Sequence, residues 1–263
     1  MSQPEDEVVV FGAGSGLGKA LAELYRGRGH RVLALTRQDL DLSDAGAVER
    51  WLCRARESGR RFSRCLIAAG SCQAGLLRDL PAEAFAESLR LHALSPIEIV
   101  LGLSRAGLCR RFVVILSGAG DFLMPGLAPY ALGKRALRDF LYIAEMERSL
   151  ENVEFLKVWP GAMATAFNEK ARLHGDFKLP GAWRRRDAVQ AEDRAPSGPP
   201  GEALARRDPA EVARRIYEAD FRGEKALVLS RLPRLLGAFQ GLCGGLAAFL
   251  LRLRLRPSHP PGP

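Results

Sequence analysis

Val8-Val9-Val10-Phe11-Gly12-Ala13-Gly14-Ser15-Gly16-Leu17-Gly18-Lys19-Ala20-Leu21-Ala22-Glu23-Leu24-Tyr25 falls into three consecutive pieces. The β-branched run Val8 to Phe11 suits a buried strand. Residues 19–25 have the composition and periodicity of a helix. Between them lies a glycine turn. Glycines let the backbone turn sharply and come close to a pyrophosphate, and a helix N-terminus offers unpaired N–H groups and the positive end of its dipole. Strand, glycine turn and helix, in that order, form the context that a dinucleotide-binding fingerprint requires.

The next strand reads Arg31-Val32-Leu33-Ala34-Leu35-Thr36, and Arg37 follows directly. In a dinucleotide fold this place faces the adenosine ribose. An acid here binds the 2′-hydroxyl of NAD, whereas an arginine accommodates the 2′-phosphate of NADP. Arg37 therefore favours NADP(H) over NAD(H). Lys19 reads as an exposed helix lysine.

A second group of residues points to chemistry. Tyr130 and Lys134 are one helical turn apart in Pro129-Tyr130-Ala131-Leu132-Gly133-Lys134, and Ser117 closes the apolar run Phe112-Val113-Val114-Ile115-Leu116. Side chains at i and i+4 share a helix face. A tyrosine phenol has an ordinary pKa of about 10 and a nearby ammonium lowers it. A serine at a strand end can hydrogen-bond a substrate carbonyl oxygen. Together the three can protonate that oxygen while a hydride reaches its carbon. Further on, Trp159-Pro160-Gly161-Ala162-Met163-Ala164-Thr165 follows the apolar strand Val153–Val158. A Pro-Gly turn at the carboxyl end of a parallel strand points backbone into the crevice where open α/β sheets bind ligands.

In combination these motifs resemble the short-chain dehydrogenase/reductase family, over about residues 7–170. The resemblance implies an α/β fold: a single-domain, Rossmann-type, doubly wound parallel sheet. It implies a nicotinamide cofactor and interconversion of an alcohol and a carbonyl. Tyr130 is then the general acid/base, and Ser117 orients the carbonyl oxygen. Lys134 lowers the Tyr130 pKa and holds the nicotinamide ribose. The resemblance places the cofactor against Gly12, Ser15, Gly16, Leu17, Gly18, Arg37, Asp41, Leu42, Ala69, Gly70, Tyr130, Lys134, Pro160, Gly161, Met163 and Thr165. Asp41 and Leu42 match an Asp-hydrophobic pair that contacts adenine. Met163 and Thr165 match the positions that hold the carboxamide and the phosphate side. The family also implies a homodimer or homotetramer.

The chain departs from the family in three places. Where the family shows Asn-Asn-Ala-Gly, Ile67-Ala68-Ala69-Gly70 keeps only the last two residues. His92 takes the place of a helix asparagine whose carbonyl holds a relay water, and the structural reading of this histidine is preferred over a catalytic one. After Arg37, Gln38-Asp39-Leu40-Asp41-Leu42-Ser43-Asp44 runs into a helix at about Ala45. A parallel crossover needs a dozen or more residues, so the edge strand after the second strand is expected to be shortened or absent. Ser43 or Asp44 is expected to cap the helix.

The length of 263 residues suits one large α/β domain, expected over 1–230 with a substrate loop at about 166–207, followed by a tail at 231–263. Five scattered cysteines without a Cys-x-x-Cys pair argue against a disulfide framework, and with four histidines they offer no metal site. A reduced, cytoplasmic setting follows, and the acidic start Glu5-Asp6-Glu7 does not read as a secretory signal. The net charge of +9 is spread along the chain. Its two basic clusters, Arg184–Arg186 and the tail, lack interleaved aromatics for base stacking, which argues against nucleic acid.

Phe122, Leu123 and Met124, in the loop after Ser117, and Phe167 suggest an apolar carbonyl substrate. The tail, Leu235 to Leu251 between Arg234 and Arg252, leaves three readings open. It packs over the site or a partner subunit, it lies on a membrane surface through Arg252-Leu253-Arg254-Leu255-Arg256, or it spans a bilayer at the lower limit of length. The expected function is thus an NADP(H)-dependent oxidoreductase with a Ser-Tyr-Lys site acting on a small apolar carbonyl or alcohol. The competing readings are a non-catalytic NAD(P)-binding sensor or scaffold, and an interaction protein attached to a membrane by its tail.

Overall fold

The computed structural model describes residues 7–122, 124–147, 150, 152–165, 167, 170–177 and 207–229. Leu123, most of the expected substrate loop and the whole apolar and basic tail lie outside the described residues.

Six parallel strands form the central sheet: β1 (Glu7–Phe11), β2 (Arg31–Leu35), β3 (Arg64–Ile67), β5 (Arg111–Ile115), β6 (Glu154–Trp159) and β8 (Ala226–Val228), in the order β2-β1-β3-β5-β6-β8. A two-residue strand β4 (Gln73–Ala74) pairs in parallel with β7 (Arg172–Leu173) outside that sheet. The order reverses at β1, with β2 on one side and β3 on the other, which creates the crevice of a doubly wound sheet.

Helices cover both faces, and the strand sequences reflect it. All five residues of β5 are buried, as a strand covered on both sides requires. On one face Val8, Val10, Leu66 and Leu156 pack with Leu17 and Leu21 of α1 (Gly16–Gly27) and with Val212 and Ile216 of α6 (Pro209–Phe221). On the other face Val9, Phe11, Phe112 and Val114 meet α2 (Ala47–Glu57), α4 (Ser95–Arg105) and α5 (Ala128–Glu147) through Trp51, Leu103 and Leu141. A short helix α3 (Ala82–Leu89) leads through a π turn at Arg90–Leu94 into α4.

Residues 36–46 contain no strand, so β2 is the edge of the sheet, as the short connection dictates. The helix start differs from expectation. Gly46, with φ +84°, precedes α2, and neither Ser43 nor Asp44 caps it with a side chain. Ser43 instead donates from Oγ to Asp41 Oδ1 at 2.6 Å, and Asp44 pairs with Arg50 at 2.6 Å. Both side chains have stronger local partners than the helix N–H groups.

At the amino ends of β3 and β5 the buried Asp220 carboxylate accepts hydrogen bonds from Tyr25 Oη at 2.8 Å, Arg64 Nε at 2.5 Å and Arg111 Nε at 2.8 Å. This network joins α6, α1 and two strands at the edge opposite the carboxyl ends.

Candidate active site

Five strand ends carry the candidate residues at the carboxyl edge of the sheet. After β1 the amides of Gly12 and Ala13 both donate to Leu35 O at 2.9 Å, which folds the glycine turn back on β2. Gly12 has φ +86°, and a Cβ there would stand 2.5 Å from the Ala69 backbone. A Cβ on Gly18 would stand 2.1 Å from the Gly12 carbonyl oxygen. Only glycine fits either place. Ser15 precedes α1 with an extended backbone, and its side chain makes no capping bond. The helix N–H groups at this end are therefore left for a ligand.

Pro160 and Gly161 follow β6, and the turn brings the Thr165 methyl to 3.3 Å from where a Cβ on Gly16 would sit. Met163 packs against the face that carries α1, and Leu17 is buried there. Ala69 and Gly70 follow β3. The glycine turn is thus in contact with the Ala69 segment through Gly12 and with the Thr165 segment through Gly16.

On its β2 side the Arg37 guanidinium is exposed and donates from Nε to Asp41 Oδ2 at 2.9 Å. Asp41 also accepts from the Ser43 amide at 2.9 Å, and its carboxyl lies below its ordinary range: burial opposes this, while bonds from Ser43 and Arg37 outweigh it. Leu42 is buried in the core and its carbonyl accepts from Ser95 Oγ at 2.7 Å. Lys19 pairs with Glu23 at 3.7 Å on the exposed face of α1.

Ser117 sits two residues past the end of β5 and accepts from the Ala119 amide at 3.2 Å. Its hydroxyl lies near enough to the Tyr130 phenol to draw the phenol's pKa down. Tyr130 is buried on the first turn of α5, at 8% exposure. Lys134, on the next turn, is buried too and donates from Nζ to Ile115 O at 2.8 Å. The serine, tyrosine and lysine that the sequence singled out are thus brought together.

Their electrostatics correct one expectation. Burial pushes the Tyr130 phenol up to about 12; the bond to Ser117 draws it down and the Cys72 thiol nearby pushes it up. Burial also draws Lys134 down to about 8. In the resting site burial outweighs any lowering of the phenol by Lys134, whose amine is itself desolvated and donates one hydrogen bond to the Ile115 carbonyl.

His92 stands on the π turn behind the phenol. Its Nε2 is 2.8 Å from Ser71 O, and a carbonyl can only accept, so Nε2 carries the proton. Its ring meets Tyr130 edge-on with centroids 5.0 Å apart. A Cβ on Gly133 would stand 2.8 Å from the His92 Cβ, so glycine makes the room for this histidine. Burial, then the neighbouring Lys134 charge, lowers its pKa to about 3, against the Ser71 bond. It is a neutral, tightly held ring, in line with the structural reading.

In front of the phenol stands Phe167, with ring centroids 5.6 Å apart. Phe167 and Met124 pack with Cys72, Ala74, Leu127 and Phe177 in a small apolar cluster. Phe122 is half-buried and stands outside this cluster. The sequence pattern missed Cys72, Leu127 and Phe177, because only the pairing of β4 with β7 brings their segments together.

No family model matches the chain. No curated protein sequence matches it either. Among solved structures it is similar to a short-chain dehydrogenase from Streptomyces avermitilis, at TM-score 0.67 and 19% identity over 98% of this chain and 100% of that one. A short chain dehydrogenase from Burkholderia cenocepacia in complex with NADP superposes at TM-score 0.67 and 19% identity, over 96% and 99% of the two chains. An alcohol dehydrogenase from the archaeon Thermococcus sibiricus, complexed with 5-hydroxy-NADP, gives TM-score 0.61 and 20% identity over 86% and 96%. The fold of this chain is therefore the single-domain α/β fold that the short-chain dehydrogenases share.

Proposed function

We propose that the chain is a short-chain dehydrogenase/reductase that interconverts a carbonyl and an alcohol with NADP(H), on an apolar substrate. The convergence of Ser117, Tyr130 and Lys134 at the carboxyl edge, beside the glycine turn, is the observation that carries this reading. A purely nucleotide-binding protein has no need of a buried phenol beside a serine hydroxyl there.

The residues fit a nicotinamide dinucleotide. Gly12 and Gly18 let the turn close tightly on the Ala69 backbone and on the Gly12 carbonyl, and the N-terminus of α1 that this turn presents carries no side-chain cap. Gly16 and Thr165 would hold the pyrophosphate, Asp41 and Leu42 the adenine, and Ala69 and Gly70 the adenosine side. Pro160, Gly161 and Met163 would hold the nicotinamide. Arg37, exposed at the end of β2, supplies the charge for a 2′-phosphate. Bound there, the cofactor supplies or accepts the hydride.

The chain's own residues handle the proton. Ser117 donates from Oγ to the carbonyl oxygen and fixes it beside Tyr130. Tyr130 passes its phenolic proton to that oxygen as hydride reaches the carbon. Lys134 stabilises the phenolate that this leaves. A phenol whose pKa stands at about 12 arrives protonated at neutral pH, the form that carbonyl reduction uses.

Fluorescence titration with NADPH and NADH tests the cofactor, with Arg37→Asp expected to reverse or abolish an NADPH preference. Tyr130→Phe is expected to lose turnover while NADPH affinity stays within about twofold. Wild-type turnover in that variant would sink the mechanism.

A further inference from the structure

A reacting carbonyl must bring its oxygen within hydrogen-bond reach of Tyr130 and Ser117. The group attached to it then has to lie beside the phenol ring. Phe167 takes up that space. Its ring is tilted 59° to the Tyr130 ring at 5.6 Å, and its Cε2 is 3.6 Å from where a Cβ on Gly70 would stand.

The surroundings are apolar and braced. Cys72, Ala74 and Leu127 are each 2% exposed or less, and Met124 and Phe177 pack on them. Phe177 lies against Gly126, whose added Cβ would stand 2.1 Å from its Cζ. The segment following Phe167 is fastened by backbone: the Arg172 amide donates to Cys72 O at 2.8 Å and the His174 amide to Ala74 O at 2.9 Å. A third bond, from the Gly75 amide to Gly126 O at 2.9 Å, holds the opposite wall. Gln73 joins both sides, bonded to His174 at 3.0 Å and to Glu87 at 2.9 Å.

With that much of the wall fixed, the Phe167 ring is the group that has to give way. We propose that Phe167 determines specificity: its ring holds the place of an aryl group of the substrate and packs against that group on binding. The site then prefers aromatic aldehydes and aryl ketones to saturated carbonyls of similar size. Two aromatic rings gain from their quadrupoles beyond what apolar area alone gives, which corresponds to a preference of roughly threefold to tenfold. This inference rests on the reading of the chain as a carbonyl reductase.

The test compares kcat/KM for benzaldehyde and for cyclohexanecarbaldehyde, with NADPH, in the wild type, Phe167→Ala and Phe167→Leu. Taking each variant's ratio against the wild type cancels the intrinsic reactivity of the two aldehydes. Both variants are expected to lower the aryl-to-alicyclic ratio about threefold to tenfold, mainly through KM. Leucine keeps most of the apolar volume without the ring face, so it guards against collapse of the wall in the alanine variant. A ratio that is unchanged or raised in the leucine variant overturns the proposal. So does a wild type that reduces aliphatic carbonyls and not benzaldehyde, an outcome that leaves carbonyl reduction intact. NADPH binding without turnover of any carbonyl would overturn the carbonyl reading and this inference with it.

Discussion

The Lys134 ammonium donates to the main-chain oxygen of Ile115 at 2.8 Å, and this bond fastens α5 to the last residue of β5. Tyr130 is one turn earlier on α5 and Ser117 is two residues past Ile115. This bond, with the close approach of Gly120 to the Lys134–Arg135 backbone, holds the register in which hydroxyl and phenol meet. Because both ends of it are buried, the amine loses solvation and its pKa falls to about 8.

That value predicts an alkaline limit. Lys134 is charged below about 8 and neutral above it, and only the charged form stabilises the phenolate left by proton transfer. Carbonyl reduction should therefore hold through neutral pH and decline as pH rises through about 8. Lys134→Met should lose roughly a hundredfold or more in kcat at every pH. Initial rates at saturating NADPH from about pH 6 to about pH 10 check this. A wild-type profile flat to the upper end would remove Lys134 from the proton step.

Ser117→Ala leaves the Tyr130 phenol without the bond that draws its pKa down. The expected loss is roughly 10²–10³ in kcat, as for removal of one preorganised donor. NADPH affinity should stay within about twofold, since the cofactor residues come from other strand ends. Single-turnover rates together with a binding titration separate the two quantities. A variant that loses affinity and rate in parallel would place Ser117 on the cofactor instead.

What the sequence made legible was local or repeated in register. The glycine turn is contiguous, Tyr130 and Lys134 are one turn apart, and Ser117 and Pro160 mark strand ends. The short connection from Arg37 to Asp44 foretold an edge at β2. The reasons behind these residues were not legible, because they are distant in the chain. Gly12 must be glycine on account of Ala69, and Gly133 on account of His92. The role of Asp220 is not legible in the sequence, since its partner Tyr25 is 195 residues away. The upward shift of Tyr130 is not legible either, because helix spacing shows that Lys134 is near and does not show that both groups are buried.

Asp220 makes a prediction about stability alone. Its carboxylate is wholly buried and anchors Arg64 and Arg111. Asp220→Ala leaves partly buried Arg64 without its anion and Arg111 with only the exposed Glu154 carboxylate at 3.3 Å, and removing one partner of such a network costs about 3–5 kcal/mol. Tyr25→Phe removes one neutral donor and should cost about 1–2 kcal/mol. The network lies at the opposite edge from Ser117, so the fraction that stays folded should turn over normally. Urea unfolding gives the stability, and kcat per folded molecule gives the rest. A loss under 1 kcal/mol for Asp220→Ala would mean that water reaches the arginines.

His92 predicts how the fold responds to acid. Its ordinary pKa of 6.5 falls to about 3 in the folded chain, chiefly through burial and then through Lys134. The folded pKa is therefore the lower one. As pH falls below 6.5 the unfolded chain takes up a proton that the folded chain refuses until about 3, so stability is lost across that window. The lost stability reaches roughly 4 kcal/mol at the acid end. His92→Gln can still donate from its amide to the Ser71 carbonyl, and it cannot take up a proton. The variant should be less stable than the wild type at neutral pH, because its chain fills the niche beside Gly133 less well. Between pH 6.5 and 3, however, it should lose less stability than the wild type. Urea midpoints at several pH values give both slopes, and carboxylate titration cancels in their difference. Equal slopes would mean that the His92 ring is solvated or protonated in the folded chain, and the edge-on contact with Tyr130 would then have to be wrong as well.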